Sequence, residues 1–140
     1  MCADFTSKFP ELFCYAMENN LVVWNFISDQ VLSKIEIDSN VNCLSFSDSG
    51  LKIVIGCENK MINMYFFEPE KNETMKDIKY PNYQNPLKVL SLNGHTGNIK
   101  IVLISANEEF ILSTEDSDST LFSQNILVWR EKKEEEYIVM

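Results

Sequence analysis

The chain has 140 residues, of which 45% are hydrophobic and 24% are charged, as is typical of a soluble globular domain that can bury a core. Its formal net charge of −9 argues against nucleic acid or an anionic membrane surface as a partner, because both attract clusters of Lys and Arg. No apolar run approaches the roughly 20 residues of a membrane helix, and no secretion signal is visible at the N-terminus. We therefore expect a cytoplasmic protein.

The first of three similar units covers residues 1–38. Its apolar runs are short and rich in β-branched and aromatic residues, which is typical of strands, and they show no helical period. Polar residues such as Glu18-Asn19-Asn20 separate the runs and predict tight turns. We predict four strands in this unit, at residues 1–7, 12–16, 21–26 and 31–37.

The second unit covers residues 39–92 and repeats this plan. Glu58-Asn59 aligns with Glu18-Asn19 at an offset of 40 residues, and an internal period of roughly 40–45 residues with four strands per unit is typical of a β-propeller. A polar, Pro-bearing insertion at residues 68–85 interrupts the period, and we predict a mobile surface loop there that is dispensable to the fold. The four predicted strands are at residues 41–46, 52–56, 61–67 and 87–92.

The third unit covers residues 93–140. Gly94-His95 opens it, and an aliphatic run that ends in Trp129-Arg130 closes its third predicted strand. The middle hairpin, residues 115–124, is longer than the corresponding turns of the first two units, and residues 137–140 are predicted to begin a final outer strand. A small sandwich also has strands at this spacing, but the regular offset and the Gly-His and Trp markers favour the propeller.

The order of these markers resembles the WD-repeat family, with Trp129-Arg130 where that family usually has Trp-Asp. The resemblance implies an all-β fold, a partial propeller of about three four-stranded antiparallel blades. It also implies a buried hydrogen-bonded chain through His95, Ser113 and Trp129, which a hairpin carboxylate joins. Asp116 or Asp118 could supply that carboxylate, and the sequence leaves the choice between them open.

The same resemblance implies a non-catalytic scaffold that binds other proteins within a larger assembly. Propellers need 4–8 blades to close a ring, so we expect further blades or assembly with other chains to complete this one. The long hairpin is similar to those of ciliary and cytoskeletal members of the family. The alternatives are a substrate receptor of a ubiquitin ligase or another regulatory complex, and an enzyme built on a propeller.

Catalytic and metal sites find little support in the sequence. A lone His, Ser and Asp could suggest a hydrolase, but the Gly-x-Ser-x-Gly nucleophile motif is absent. The oxygen-rich hairpin with Glu115, Asp116 and Asp118 lacks the spacing of a calcium loop, and the four cysteines lack the spacing of zinc ligands. We expect no cofactor or metal, and reduced cysteines that pack in the core.

Finally, three blades leave two sheet faces uncovered, so we expect the isolated chain to self-associate, to aggregate or to need neighbouring blades. Four side chains are predicted to lie near those faces, namely Phe13, Trp24, Ile111 and Val128.

Overall fold

The structure is a computed structural model, and it describes residues 1–69, 80–115, 126–133 and 136–140. These residues form twelve β-strands and no helix. The strands are β1 Cys2–Phe5, β2 Leu12–Met17, β3 Asn20–Asn25, β4 Gln30–Glu36, β5 Val41–Phe46, β6 Lys52–Cys57, β7 Ile62–Phe66, β8 Lys88–Leu92, β9 Ile99–Ile104, β10 Phe110–Glu115, β11 Ile126–Lys133 and β12 Glu136–Val139.

The strands form three four-stranded sheets, and every neighbouring pair of strands is antiparallel. Blade 1 is β1–β4, blade 2 is β5–β8 and blade 3 is β9–β12, each in chain order across its sheet. The C-terminal strand β12 pairs with β11 as the outer strand of blade 3. The predicted all-β architecture of three four-stranded units is therefore confirmed.

The blades stack face to face. Along each strand, successive side chains point to opposite faces of the sheet. We call the side of a blade that meets the preceding blade its rear face and the opposite side its forward face. One core joins the forward face of blade 1, with Leu12, Cys14 and Val23, to the rear face of blade 2, with Ile53 and Tyr65. Burial of this apolar surface is the main force that holds the blades together.

A second core joins blades 2 and 3 in the same way. The forward face of blade 2 contributes Val54 and Met64, and the rear face of blade 3 contributes Ile99, Ile111 and Trp129. Ile111 is fully buried here, so our expectation that it lies at an uncovered face is wrong. It points to the opposite side of β10 from Leu112, which does lie on the outer face.

The connection between β7 and β8 packs on the blades at its C-terminal end, where we predicted a dispensable surface loop. Tyr83 is 1% exposed, and its hydroxyl donates to the carbonyl of Gly50 at 2.8 Å. The Tyr80 hydroxyl donates to Glu11 Oε1 at 2.6 Å. Two tyrosines therefore tie this polar segment to blades 1 and 2, so the prediction of a surface loop is wrong at Tyr83, whereas its dispensability stays a prediction. Residues 70–79 lie outside the described residues.

All four cysteines are free thiols. Cys14, Cys43 and Cys57 are buried and Cys2 is partly buried. Burial raises the pKa of the Cys57 thiol to about 11 and that of Cys43 to about 12, so both thiols stay protonated and unreactive at neutral pH. In the described part of the chain, no helix has the length and apolar character needed to cross a membrane.

Candidate functional site

The sequence markers of the third unit meet on the rear face of blade 3. His95 lies in the connection between β8 and β9, Ser113 lies in β10 and Trp129 lies in β11. A side chain at Gly94 would begin 3.0 Å from the indole of Trp129 and 3.1 Å from Leu127, so a larger residue would require these side chains to shift by a few tenths of an ångström. Gly94 thus lets the connection that carries His95 lie close to β11.

A buried hydrogen-bonded chain links the three side chains. The Trp129 indole Nε1–H donates to Ser113 Oγ at 2.8 Å, and Ser113 Oγ lies 2.6 Å from His95 Nε2. An indole nitrogen can only donate, so the Ser113 oxygen accepts from it, and the Ser113 hydroxyl can donate its proton to His95 Nε2. We infer that the ring proton of the neutral His95 is on Nδ1.

Glu115 is the carboxylate beside His95 in the described residues. Its Oε2 lies 3.8 Å from His95 Nδ1, too far for a hydrogen bond, and accepts from the backbone N–H of Thr96 at 2.8 Å and from that of Gly97. Glu115 thus fixes the backbone that follows His95, whereas the contact with Ser113 holds its ring. Sequence reasoning placed Glu115 only in an oxygen-rich hairpin and assigned the carboxylate to Asp116 or Asp118, both of which lie outside the described residues.

Burial dominates the electrostatics of this site. It lowers the pKa of His95 from its ordinary value of 6.5, and the nearby Glu115 carboxylate opposes that shift only in part. The ring is therefore neutral at pH 7, in agreement with the hydrogen bond that its Nε2 accepts.

This geometry does not suit Ser113 to nucleophilic catalysis. Its side chain is 0% exposed, so a substrate cannot reach the oxygen, which also accepts from Trp129. A nucleophilic serine needs an accessible oxygen and a base that a third group orients. His95 Nδ1 has no hydrogen-bond partner among the described residues. The arrangement can hold a loop on two strands, and it offers no route for a reaction.

The described residues also lack a metal centre, because no group of three or more His, Cys, Asp or Glu side chains is placed to hold an ion. Of the hairpin residues considered for calcium, only Glu115 is described, and its Oε2 accepts from backbone N–H groups.

A second set of polar contacts, which sequence reasoning missed, joins the first strands of adjacent blades. Asp4 Oδ2 in β1 accepts from the backbone N–H of Phe46 in β5 at 2.8 Å. Ser45 Oγ in β5 accepts from the backbone N–H of Ile104 in β9 at 3.1 Å. Asp4 and Ser45 occupy the same place in their blades, because they pair with Cys14 and Val54 at matching positions of the second strands.

Further polar contacts join the turns that follow these first strands. Thr6 Oγ1 donates to the carbonyl of Ser47 at 2.8 Å, and Ser49 Oγ donates to Glu108 Oε1 at 2.7 Å. Lys52 Nζ reaches the hydroxyl of Tyr137 in blade 3 at 3.3 Å. Adjacent blades are thus held by hydrogen bonds at their edges as well as by apolar cores, and only the cores have a hydrophobic pattern that could be read from the sequence.

Comparison with known proteins places this geometry among propellers. Residues 31–65 match the model of the WD domain, G-beta repeat family. The matched stretch runs from β4 of blade 1 to β7 of blade 2. No curated protein sequence matches the chain.

Solved structures with the same fold include the WD40 repeats of RRP9, with a TM-score of 0.71 and 17% identity over 98% of this chain. U3-55K gives a TM-score of 0.71 and 17% identity over 99% of this chain. The β-propeller domain of Cps50 (Swd1) from Myceliophteria thermophila gives 0.66 and 14% over 100%. The chain spans 36% of the first of these structures and 38% of each of the other two.

Proposed function

The chain contains a WD repeat and folds as three blades of a β-propeller, and on this premise we propose that it is a non-catalytic scaffold for protein–protein interactions. WD40 propeller domains generally serve as binding platforms rather than as enzymes. The observation that carries the proposal is the use of the buried polar groups. His95, Ser113 and Trp129 are all buried and bonded in a chain, so they fix the shape of the blade and are closed to a substrate.

We assign partner binding to the rim of blades 1 and 2 that lies on the same side as His95. The β2–β3 turn, the β4–β5 connection and the β6–β7 turn are joined there by backbone hydrogen bonds, from Val41 N to Glu18 O at 2.8 Å and from Glu58 N to Asn40 O at 3.0 Å. The rim is therefore a continuous, ordered surface. Loops that a rigid scaffold holds in this way are where binding residues are concentrated in proteins.

The chemistry of the rim favours a protein partner with a basic segment. Glu18, Glu36, Asp38 and Glu58 are all exposed along it, and Lys60 is the one exposed basic residue among the described residues of these three connections. Opposite charges across an interface steer association and fix its register. This preference is consistent with the net charge of −9, which also disfavours a nucleic-acid partner.

Affinity capture from cells followed by quantitative mass spectrometry tests the proposal. The unaltered chain is compared with a rim variant, Glu18→Lys with Glu58→Lys, and with a control, Glu68→Lys with Glu109→Lys, which makes the same charge change at two exposed positions away from the rim. We expect defined protein partners that the rim variant loses and the control keeps. The proposal is wrong if no partner is enriched, or if the rim variant and the control behave alike.

The identity of the captured proteins also tests the finer assignment. We propose a cytoplasmic assembly of the ciliary or cytoskeletal kind, because the long polar stretch that the sequence places between Thr114 and Ile126 resembles the extended hairpins of such members of the family. Recovery of ubiquitin-ligase subunits would instead favour the substrate-receptor alternative.

A further inference from the structure

Two sheet faces are apolar, no other described residues cover them, and they differ in character. The rear face of blade 1 is aromatic, with Phe5, Phe13, Trp24 and Phe26 in one ring cluster. Beside these rings lies a groove of about 480 Å³ that Tyr15, Trp24, Asp29 and Val31 help to line.

The forward face of blade 3 is aliphatic. Its most exposed side chains include Ile101, Leu103, Ile126 and Ile138, of which Leu103 is 55% exposed. Exposed apolar areas of this kind mark interaction sites in soluble proteins.

One of these is a rear face and the other is a forward face, and faces of these two kinds pack on each other between adjacent blades. Blade 1 meets blade 2, and blade 2 meets blade 3, with a forward face on a rear face each time. The exposed Phe5 and the half-buried Phe13 and Trp24 occupy the places that the buried Phe46, Ile53 and Tyr65 hold on the rear face of blade 2, because each set is aligned across its sheet. A forward face should therefore cover the rear face of blade 1.

The hydrogen bonds at the blade edge match the forward face of blade 3 to the rear face of blade 1 in particular. Leu103 holds the place of Asp4 and Ser45, so this position of blade 3 offers no side-chain acceptor to the first strand of a following blade. Blade 1 does not need one. The N–H of Phe5, which corresponds to the N–H groups of Phe46 and Ile104, is bonded to Asp4 Oδ1 of its own strand at 2.9 Å.

Charges match at the same junction. Arg130, the one arginine of the chain, stands on the forward face of blade 3 where Phe66 stands on blade 2. Phe66 pairs with Lys52, whose Nζ crosses to Tyr137 of the next blade. Asp29 of blade 1 corresponds to Tyr137 of blade 3. Asp29 lies two residues before Val31, the strand partner of Trp24, and Tyr137 lies two residues before Val139, the strand partner of Trp129.

We propose that two copies of this chain associate head to tail, each placing the forward face of its blade 3 on the rear face of blade 1 of the other. The two copies together supply six blades, within the 4–8 that close a propeller. A head-to-tail contact that is repeated by a two-fold rotation closes into a ring, so both apolar faces are covered with no edge left over. Arg130 of each copy pairs with Asp29 of the other.

Light scattering coupled to size-exclusion chromatography measures the mass of the purified chain over a hundredfold range of concentration. We expect a species with twice the 16.2 kDa of one chain, and no larger species, at micromolar concentrations. A mass of one chain throughout would overturn the proposal. A series of ever larger species would overturn the closed ring, because it would show that the head-to-tail contact does not return on itself.

A charge exchange tests the orientation of the copies. Arg130→Glu and Asp29→Lys each put like charges at both junctions, and we expect each to raise the dissociation constant at least tenfold. The double variant restores opposite charges, and we expect it to recover most of that loss. Asp29 adopts a positive φ of 56° and accepts from Trp24 at 3.2 Å, so circular dichroism and thermal unfolding must first show that its variants fold.

The matched controls are Lys60→Glu and Asp38→Lys, which make the same charge changes on the rim, away from both faces. If the controls weaken the dimer as much as the junction variants do, or if the double variant is no better than the singles, the proposed orientation is wrong. The rim variants used to test partner binding leave both junctions intact, so failure of that function and failure of this dimer are distinguishable.

Discussion

At the scale of single residues, the His95 site shows how burial and hydrogen bonding decide the state of a side chain. The ring is neutral because it is removed from water, and it is held because Ser113 and Trp129 complete a chain of donors and acceptors around it. Removal of one member leaves buried polar atoms without partners, which costs more than an average hydrogen bond contributes.

His95→Ala should lower the free energy of unfolding by about 1–3 kcal/mol, because the buried Ser113 hydroxyl loses its hydrogen-bond partner. Urea unfolding followed by circular dichroism measures the change. Asn98→Ala, an exposed position of the same connection, is the control and should change the value by less than about 0.5 kcal/mol. An equal effect of the two substitutions would show that the hydrogen-bonded chain of His95, Ser113 and Trp129 contributes nothing to stability.

The lowered pKa of His95 also predicts a pH dependence. Below its ordinary value of 6.5 the unfolded chain binds a proton on this residue that the folded chain does not bind until its own lower pKa is reached. The contribution of His95 to stability is therefore complete above pH 6.5 and falls as the pH drops through 6.5 toward the folded pKa. The difference in unfolding free energy between the unaltered chain and His95→Gln, measured between pH 7.5 and 5, should shrink. A difference that stays constant or grows would contradict the assignment of a buried neutral ring.

Sequence reasoning could propose His95, Ser113 and Trp129 as one site because each stands at a recognisable position of a repeat. It could not choose the carboxylate, because several acidic residues follow one another from Glu115 and a shift of one residue reverses the side of a strand. The hydrogen bonds that Asp4 and Ser45 accept from the next blade could not be predicted, for another reason. They depend on the contact of two sheets that lie about 40 residues apart in sequence, and neither residue has a neighbour that marks it.

At the scale of strands and connections, close packing between blades 2 and 3 depends on Gly56 in β6. A Cβ at this position would lie 2.6 Å from the sulfur of Cys43 and 2.8 Å from Cβ of Ile99, an atom next to the backbone of blade 3 that cannot rotate away. The two blades can approach to this distance only because Gly56 has no side chain.

Gly56→Ala should therefore destabilise the chain by about 1–3 kcal/mol, the range for overpacking a filled core. Thermal unfolding followed by calorimetry measures the change, and Gly97→Ala, at a partly exposed position outside the sheets, is the comparison. If Gly56→Ala unfolds at the same temperature as the unaltered chain, blades 2 and 3 do not pack as described.

The connection that contains Tyr83 gives a second prediction at this scale. Tyr83 fills the space beside Phe46 and Phe67, with ring centroids 5.8 and 5.0 Å away, so Tyr83→Ala should cost about 3–5 kcal/mol through the cavity that it leaves. Tyr83→Phe, which loses only the hydrogen bond to Gly50, should cost about 1 kcal/mol. Asn82→Ala, at the exposed neighbour, is the control in the same unfolding assay. Wild-type stability of Tyr83→Ala would restore our first expectation of a dispensable loop.

The order and placement of the strands could be predicted from the sequence because β-branched runs such as Leu21–Trp24 and turn residues such as Glu58-Asn59 carry a local signal. The role of Tyr80 and Tyr83 could not, because composition classifies their segment as polar and the atoms that they meet come from other blades. The family model matches residues 31–65, where marker residues are absent and only the strand pattern is present.

At the scale of the whole molecule, the blades form a stack with a direction, in which every forward face packs on a rear face. The apolar cores supply most of the stabilisation, and the hydrogen bonds at the first strands fix the register of one blade on the next. The charge of −9 opposes aggregation in water but cannot hydrate an apolar face, so the stack ends in surfaces that favour association.

Nuclear magnetic resonance of the uniformly labelled chain tests that stack most directly, through the amide protons of Phe46 and Ile104. The stack predicts nuclear Overhauser contacts from the Phe46 amide to the β protons of Asp4 and from the Ile104 amide to those of Ser45, with slow hydrogen exchange at both amides. Asp4→Ala should accelerate exchange at the Phe46 amide and leave the Ile104 amide slow, and Ser45→Ala should do the reverse. Rapid exchange at both amides in the unaltered chain, with neither contact present, would contradict the three-blade stack and favour a closed sandwich.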